Sequence, residues 1–110
     1  MRRKGPLEQF HADYDGFDWD DHKAAATLKE RGIDFLDVAR FFFNRGPFFR
    51  RQVIHAGEIR WQAFGYMHEP DRLLSVVYTE RDEGTVCRLI SVRAAEDSER
   101  EDYHGALQAG

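Results

Sequence analysis

Leu73-Leu74-Ser75-Val76-Val77-Tyr78-Thr79-Glu80-Arg81, then Asp82-Glu83-Gly84, then Thr85-Val86-Cys87-Arg88-Leu89-Ile90-Ser91-Val92-Arg93 is the stretch that decides the fold. Residues 73–79 are almost continuously apolar, as expected of a central strand covered on both faces. Asp82-Glu83-Gly84 reads as a hairpin connection, which makes 85–93 the returning and last strand. Working back, Ile59, Trp61 and Ala63 alternate with Arg60, Gln62 and Phe64 as a strand requires. Gly57 marks a turn, residues 48–55 form a candidate strand before it, and His68-Glu69-Pro70-Asp71 is a second turn. Upstream the period changes. Phe35, Val38, Ala39 and Phe42 recur at helical spacing, and Asn44 and Gly46-Pro47 should end that helix. An earlier helix starts at Asp20 or Asp21, acids suited to the positive helix end, and stops at Gly32. Residues 16–19 form a short extended segment with Phe17 and Trp19 on one side. A charged helix runs from Glu96 to about His104. The sum is an α+β domain: a short N-terminal strand, two helices, a three- to four-stranded antiparallel sheet and a C-terminal helix, with the helices on one sheet face.

At 110 residues the chain holds one core. Residues 1–15 read as a loosely ordered extension, 16–104 as the single domain and 105–110 as a frayed tail. With 42% hydrophobic, 33% charged and 14% aromatic residues, the composition is globular and not disordered. A single cysteine, Cys87, allows neither an internal disulfide nor a paired-cysteine metal motif, and fits a reducing cytoplasmic setting. No stretch approaches the roughly 20 apolar residues of a membrane span. Met1-Arg2-Arg3-Lys4 has no apolar run behind it and does not read as a signal peptide. The net charge of −4 disfavours a general nucleic-acid-coating protein while leaving room for a local basic patch.

Such a patch exists in the sequence. Arg45, Arg50, Arg51 and Arg60 face one acid, Glu58, across residues 44–60, and Arg81, Arg88 and Arg93 lie in or beside the last two strands. A guanidinium within a sheet needs an anionic partner, either a carboxylate of the protein or a phosphate, which matches its planar fork. Parity constrains any shared site. Residues 88 and 93 differ by an odd number, so a regular strand aims them at opposite faces, and only a bulge or a position past the strand end unites them. There is no phosphate-binding glycine loop, no His-Glu-x-x-His and no Gly-x-Ser-x-Gly, and the five histidines have no metal-ligand spacing. No metal or cofactor is expected. Cys87 reads as a buried thiol, and Trp19 and Trp61 either pack in the core or stack on bases. His22 and His55 have pKa ranges suited to acid–base work. Phe41, Phe42 and Phe43 cannot all face one core, so at least one is exposed.

Four blocks resemble the BrnT family of type II toxins: Phe17-Asp18-Trp19-Asp20 with Lys23 and Ala24-Ala25; Arg31-Gly32-Ile33-Asp34-Phe35 followed by Ala39 and Phe42-Phe43; Gly57-Glu58-Ile59-Arg60-Trp61 with Gly65; and Val76-Val77-Tyr78-Thr79-Glu80-Arg81 with Arg88-Leu89-Ile90-Ser91-Val92-Arg93-Ala94-Ala95, Glu99-Arg100 and Tyr103. The resemblance implies a RelE-like fold and a metal-independent ribonuclease that arrests translation and growth. It also implies neutralisation by a BrnA-like ribbon-helix-helix antitoxin, with operator DNA reached only through that partner. On this footing the catalytic candidates are Arg60, Arg93, Arg88 and Arg81, which would stabilise phosphorane-like charge, with Lys23 and Glu80 for positioning or proton transfer. Arg50, Arg51, Trp61 and Tyr103 are candidates for substrate binding, and Phe41, Phe43, Phe48 and Phe49 for antitoxin contact. The chain departs from the family pattern at Arg31, at Ala94, where a cation is usual, and at Glu96. Those departures keep a second reading open, a catalytically weak binding module that serves the antitoxin as co-repressor or scaffold.

Overall fold

The hairpin that decides the fold forms as β5 (Leu73–Arg81) and β6 (Val86–Ala94). Its connection is tight: Asp82, Glu83 and Gly84 all have positive φ, and the Thr85 hydroxyl donates to the Asp82 carbonyl at 2.8 Å. The computed structural model describes residues 6–43, 47–67 and 72–109. The expected helix stop at Asn44 and Gly46 and the turn at His68-Glu69-Pro70-Asp71 lie outside the described residues. In chain order the elements are β1 (Glu8–Phe10), β2 (Gly16–Asp18), α1 (Asp21–Arg31), α2 (Phe35–Asp37), β3 (Phe48–His55), β4 (Glu58–Tyr66), β5, β6 and α3 (Asp97–Ala109). A π-helical turn over Val38–Phe42 extends α2.

The strands form one six-stranded mixed sheet in the order β1-β3-β4-β5-β6-β2. This corrects the expectation of three or four antiparallel strands in two ways. β1 adds to the edge of β3, in a stretch whose sequence has no period, and β2 pairs parallel to β6. Both are three residues long, and a strand that short is held by the edge it joins rather than by its own pattern. The four central strands match the expected ones closely. β3 and β4 turn through Ala56-Gly57, both at positive φ as a two-residue hairpin loop requires.

Helices cover both faces, not one. On one face α2 and its π-helical turn bury Phe35, Val38, Ala39, Phe42 and Phe43 against Ala63, Val76, Tyr78, Leu89 and Val92; Phe17 and Trp19 join this cluster together. Phe41 is the member of its triplet that faces solvent, at 41% exposure. On the other face α3 buries Tyr103 against Phe49, Phe64 and Leu73. The helix runs to Ala109, past the expected end near His104, because Ala106 also packs on this cluster. α1 is capped by Asp20, which accepts from the Lys23 N–H at 3.1 Å, and closes at a left-handed Gly32. Its last residue, Arg31, donates to the Val92 carbonyl at 2.7 Å and so ties the helix to β6.

Gly65 marks the closest approach in the core. A Cβ there would lie 3.0 Å from the Phe48 Cβ and 3.3 Å from the Phe42 ring, both side chains fully buried. Gly65→Ala is expected to lower unfolding stability by about 1–3 kcal/mol, the cost of an overpacked core. Urea unfolding measures it, and an unchanged midpoint would show that the two rings can yield.

Candidate functional site

Pairing register assigns each charged side chain to a face. Val77 is opposite Ser91, but the next residue, Tyr78, is opposite Leu89, so Ile90 is an extra residue in β6 and forms a bulge. Ser75 pairs with Arg93 and Thr79 with Arg88. Since 75 and 79 share parity in β5, both arginines project from the α3 face, the arrangement that parity alone forbids to a regular strand. Val53 pairs with Arg60, and continuing the Trp61–Tyr78 register by one residue sets Arg60 opposite Thr79. A row of Val53, Arg60, Thr79, Arg88 and Asp18 thus crosses the α3 face, with Arg81 in the next row.

The burial of their carboxylate partners, not their own, divides these arginines by availability. Arg93 grips Glu99 with both terminal guanidinium nitrogens, at 2.7 and 2.9 Å. Glu99 is 3% exposed and also accepts from Gln62 at 3.1 Å and from the Glu96 N–H at 2.9 Å, the latter being half of a capping box for α3. Arg51 donates to Gln62 and pairs with Asp102, which makes it a second anchor of α3. Arg60 and Arg88 differ. Their partners, Glu58 at 3.9 Å and Asp18, have side chains about half exposed. Such ion pairs are worth about 0–1 kcal/mol, so a phosphate can displace them cheaply. Arg81 is exposed and makes no ion pair among the described residues. Arg60 Nε and the Thr79 hydroxyl are buried with no hydrogen-bond partner there.

Other candidates fall elsewhere. Glu80 projects from the α2 face and does not share the arginine row. It accepts from the Tyr14 hydroxyl at 2.6 Å and from Arg50 at 3.2 Å. Arg50 is held between the rings of Phe10 and Trp61, 3.4 and 3.6 Å from their centroids, and donates to the Tyr78 hydroxyl. Arg50 and Trp61 therefore stack on each other and not on a free surface. Tyr103 is core, its hydroxyl donating to the Pro47 carbonyl at 3.0 Å. Phe43, Phe48 and Phe49 are buried in this chain's own core, which leaves Phe41 as the exposed member of the antitoxin set. Lys23 lines an open depression of about 330 Å³ with Ala26, Thr27, Glu30, Arg31 and Ser91. Burial pushes the Cys87 thiol pKa up, so it stays protonated. Among the described residues no group of three His, Cys, Asp or Glu side chains is placed to hold a metal, and no helix is long and apolar enough to cross a membrane.

The sequence reading did not single out Thr79, Gln62 or Ser75. Their signal was polar side chains at inward positions of central strands, and it is visible only once the register is known.

Burial raises the pKa of Tyr78 to about 12 and, together with the neighbouring Tyr78 and Glu80, raises that of Tyr14 further. The folded chain therefore keeps protons that the unfolded chain releases near pH 10. Stability is complete below that pH and should fall as pH rises from about 10 towards 12. Thermal unfolding against pH measures this, and Tyr14→Phe should flatten the slope. An equal slope in the variant would show that Tyr14 ionises freely in the folded state.

A family model described as "Ribonuclease toxin, BrnT, of type II toxin-antitoxin system" matches residues 19–99. No curated protein matches the chain. The matched span contains Lys23 and, on the α3 face, Arg51, Arg60, Arg81, Arg88 and Arg93. The chain belongs to the BrnT family of type II toxin–antitoxin ribonuclease toxins.

Proposed function

We propose that this chain is a metal-independent endoribonuclease of RelE-like architecture that holds the scissile phosphate over the α3 face of its sheet. One observation carries the reading: the β6 bulge puts Arg88 and Arg93 on the face that bears Arg60, and the weakly paired members lie where a phosphate can reach them. In such a reaction the ribose 2′-oxygen attacks phosphorus, its proton leaves, and the 5′-oxygen departs with a proton. Negative charge grows on the non-bridging oxygens, and guanidinium groups fixed beside them stabilise it. Arg60 and Arg88 are assigned this role, with Arg81 steering the neighbouring backbone. Arg93 contributes field from a position fixed by Glu99. Lys23 remains the candidate for proton transfer or positioning, and Glu80 is not assigned to the site because it faces the other way.

The antitoxin implied by the family is proposed to be a BrnA-like ribbon-helix-helix protein that touches the exposed Phe41. Operator DNA would be reached only through it, and the pair would act in the cytoplasm to control translation and growth. A second reading, a co-repressor or scaffold of little catalytic power, is favoured by one feature. Buried Glu99 holds Arg93 in a bidentate pair, while Ala94 and Glu96 supply no further cation beside it.

Expressing the chain alone beside an Arg60→Ala/Arg88→Ala variant of matched abundance separates the two. Arg93 is left intact, since removing it strands a buried carboxylate. Growth arrest and RNA loss are expected from the original chain only, with purified cleavage falling at least roughly a hundredfold in the variant, the effect of losing an oriented transition-state donor. An abundant, folded original chain that neither arrests growth nor cleaves RNA would establish the binding-module reading.

A further inference from the structure

We propose that Thr79 is a phosphate-binding residue of this site, its hydroxyl donating to a non-bridging oxygen of an RNA phosphate seated between Arg60 and Arg88. The proposal rests on the ribonuclease reading and adds a ligand to it. Thr79 is 5% exposed, and its hydroxyl has no hydrogen-bond partner among the described residues. A buried hydroxyl without a partner is costly, and chains rarely keep one without a use for it. The neighbouring buried atom in the same condition is Arg60 Nε, one strand away, and on the other side Thr79 pairs in register with Arg88. Two unmatched donors thus lie in one row between two weakly held guanidinium groups.

The anion that fits must accept several hydrogen bonds at once and carry charge, as a phosphodiester does. The hydroxyl lies below the surface, so binding requires Arg60 and Arg88 to turn from Glu58 and Asp18. Their side chains are 25% and 31% exposed, with room to move into solvent. The turn exchanges two weak pairs for a phosphate and uncovers the Thr79 hydroxyl beneath. Binding then satisfies donors that the free protein leaves unmatched.

The test compares Thr79→Val, which keeps the shape and removes the hydroxyl, with Thr79→Ser, which keeps the hydroxyl. Binding of a short 2′-O-methylated RNA, which cannot be cleaved, is followed by fluorescence anisotropy alongside thermal unfolding. Thr79→Val is expected to bind roughly tenfold more weakly, the effect of one hydrogen bond to a charged group. It should unfold at the same or a higher temperature, and Thr79→Ser should bind like the original. Unchanged RNA binding by Thr79→Val, with Arg60→Ala/Arg88→Ala weakened, overturns the role of Thr79 and leaves the ribonuclease reading standing. A Thr79→Val chain that unfolds at a markedly lower temperature also overturns it, since the hydroxyl is then structural. If the arginine variant and Thr79→Val both bind like the original, the phosphate site itself is misplaced and both readings fall.

Discussion

One extra residue in β6, Ile90, is the constraint on which the arrangement depends. Without it, strict alternation would send Arg88 and Arg93 to opposite faces, one of them into the apolar cluster under α2. With it, Leu89 and Val92 both enter that cluster while Arg88 and Arg93 both leave it. A bulge also increases local twist and leaves a residue unpaired in the ladder. Here it lies between the stretch of β6 covered by β2 and the stretch tied to α1 through Arg31, where the strand's neighbour changes. The same irregularity therefore serves packing on one face and charge on the other.

The two faces handle their arginines differently. On the α2 face Arg50 is enclosed by two rings, a tyrosine hydroxyl and the Glu8 and Glu80 carboxylates, which balance its charge within the protein although its Nε has no hydrogen-bond partner among the described residues. On the α3 face Arg93 and Arg51 reach Glu99 and Asp102 and dock the last helix. Arg60, Arg88 and Arg81 lie beyond that network, and what restrains them is weak. Five guanidinium groups, of Arg51, Arg60, Arg81, Arg88 and Arg93, project from the sheet on this face, against Asp18 and Glu58 on the strands and Glu99 and Asp102 from α3. The opposing carboxylates are exposed at Arg60 and Arg88 and buried at Arg93. An acidic chain thus carries weakly paired guanidinium groups on one face without a basic surface.

Much of the architecture was legible because it rests on local pattern. The apolar run of β5, the alternation in β4, the helical spacing of Phe35, Val38, Ala39 and Phe42, and the Asp20 cap each carry their own signal. The rest was not local. β1 and β2 are too short to show a period, and their pairing is fixed by partners far along the chain. Ala106 extends α3 only because of what lies beneath it. For the site, residue type pointed to the arginines, and the parity argument named the bulge as the condition for joining Arg88 to Arg93, but no residue in the sequence announces a bulge at Ile90. Glu80 sits next to Thr79 in sequence and projects from the other face. Tyr103, Phe43, Phe48 and Phe49 look like surface candidates by chemistry and are claimed by the core, because a sheet covered on both sides needs more aromatic filling than a sheet covered on one.

The central claim is that the α3 face, and not the α2 face, meets RNA. Arginine side-chain Nε–H resonances, followed by NMR during titration with the uncleavable RNA, test it most directly. The account predicts that Arg60, Arg88 and Arg81 shift, Arg93 less so, while Arg50 stays in place. Movement of Arg50 with the Arg60 and Arg88 signals unchanged would contradict it.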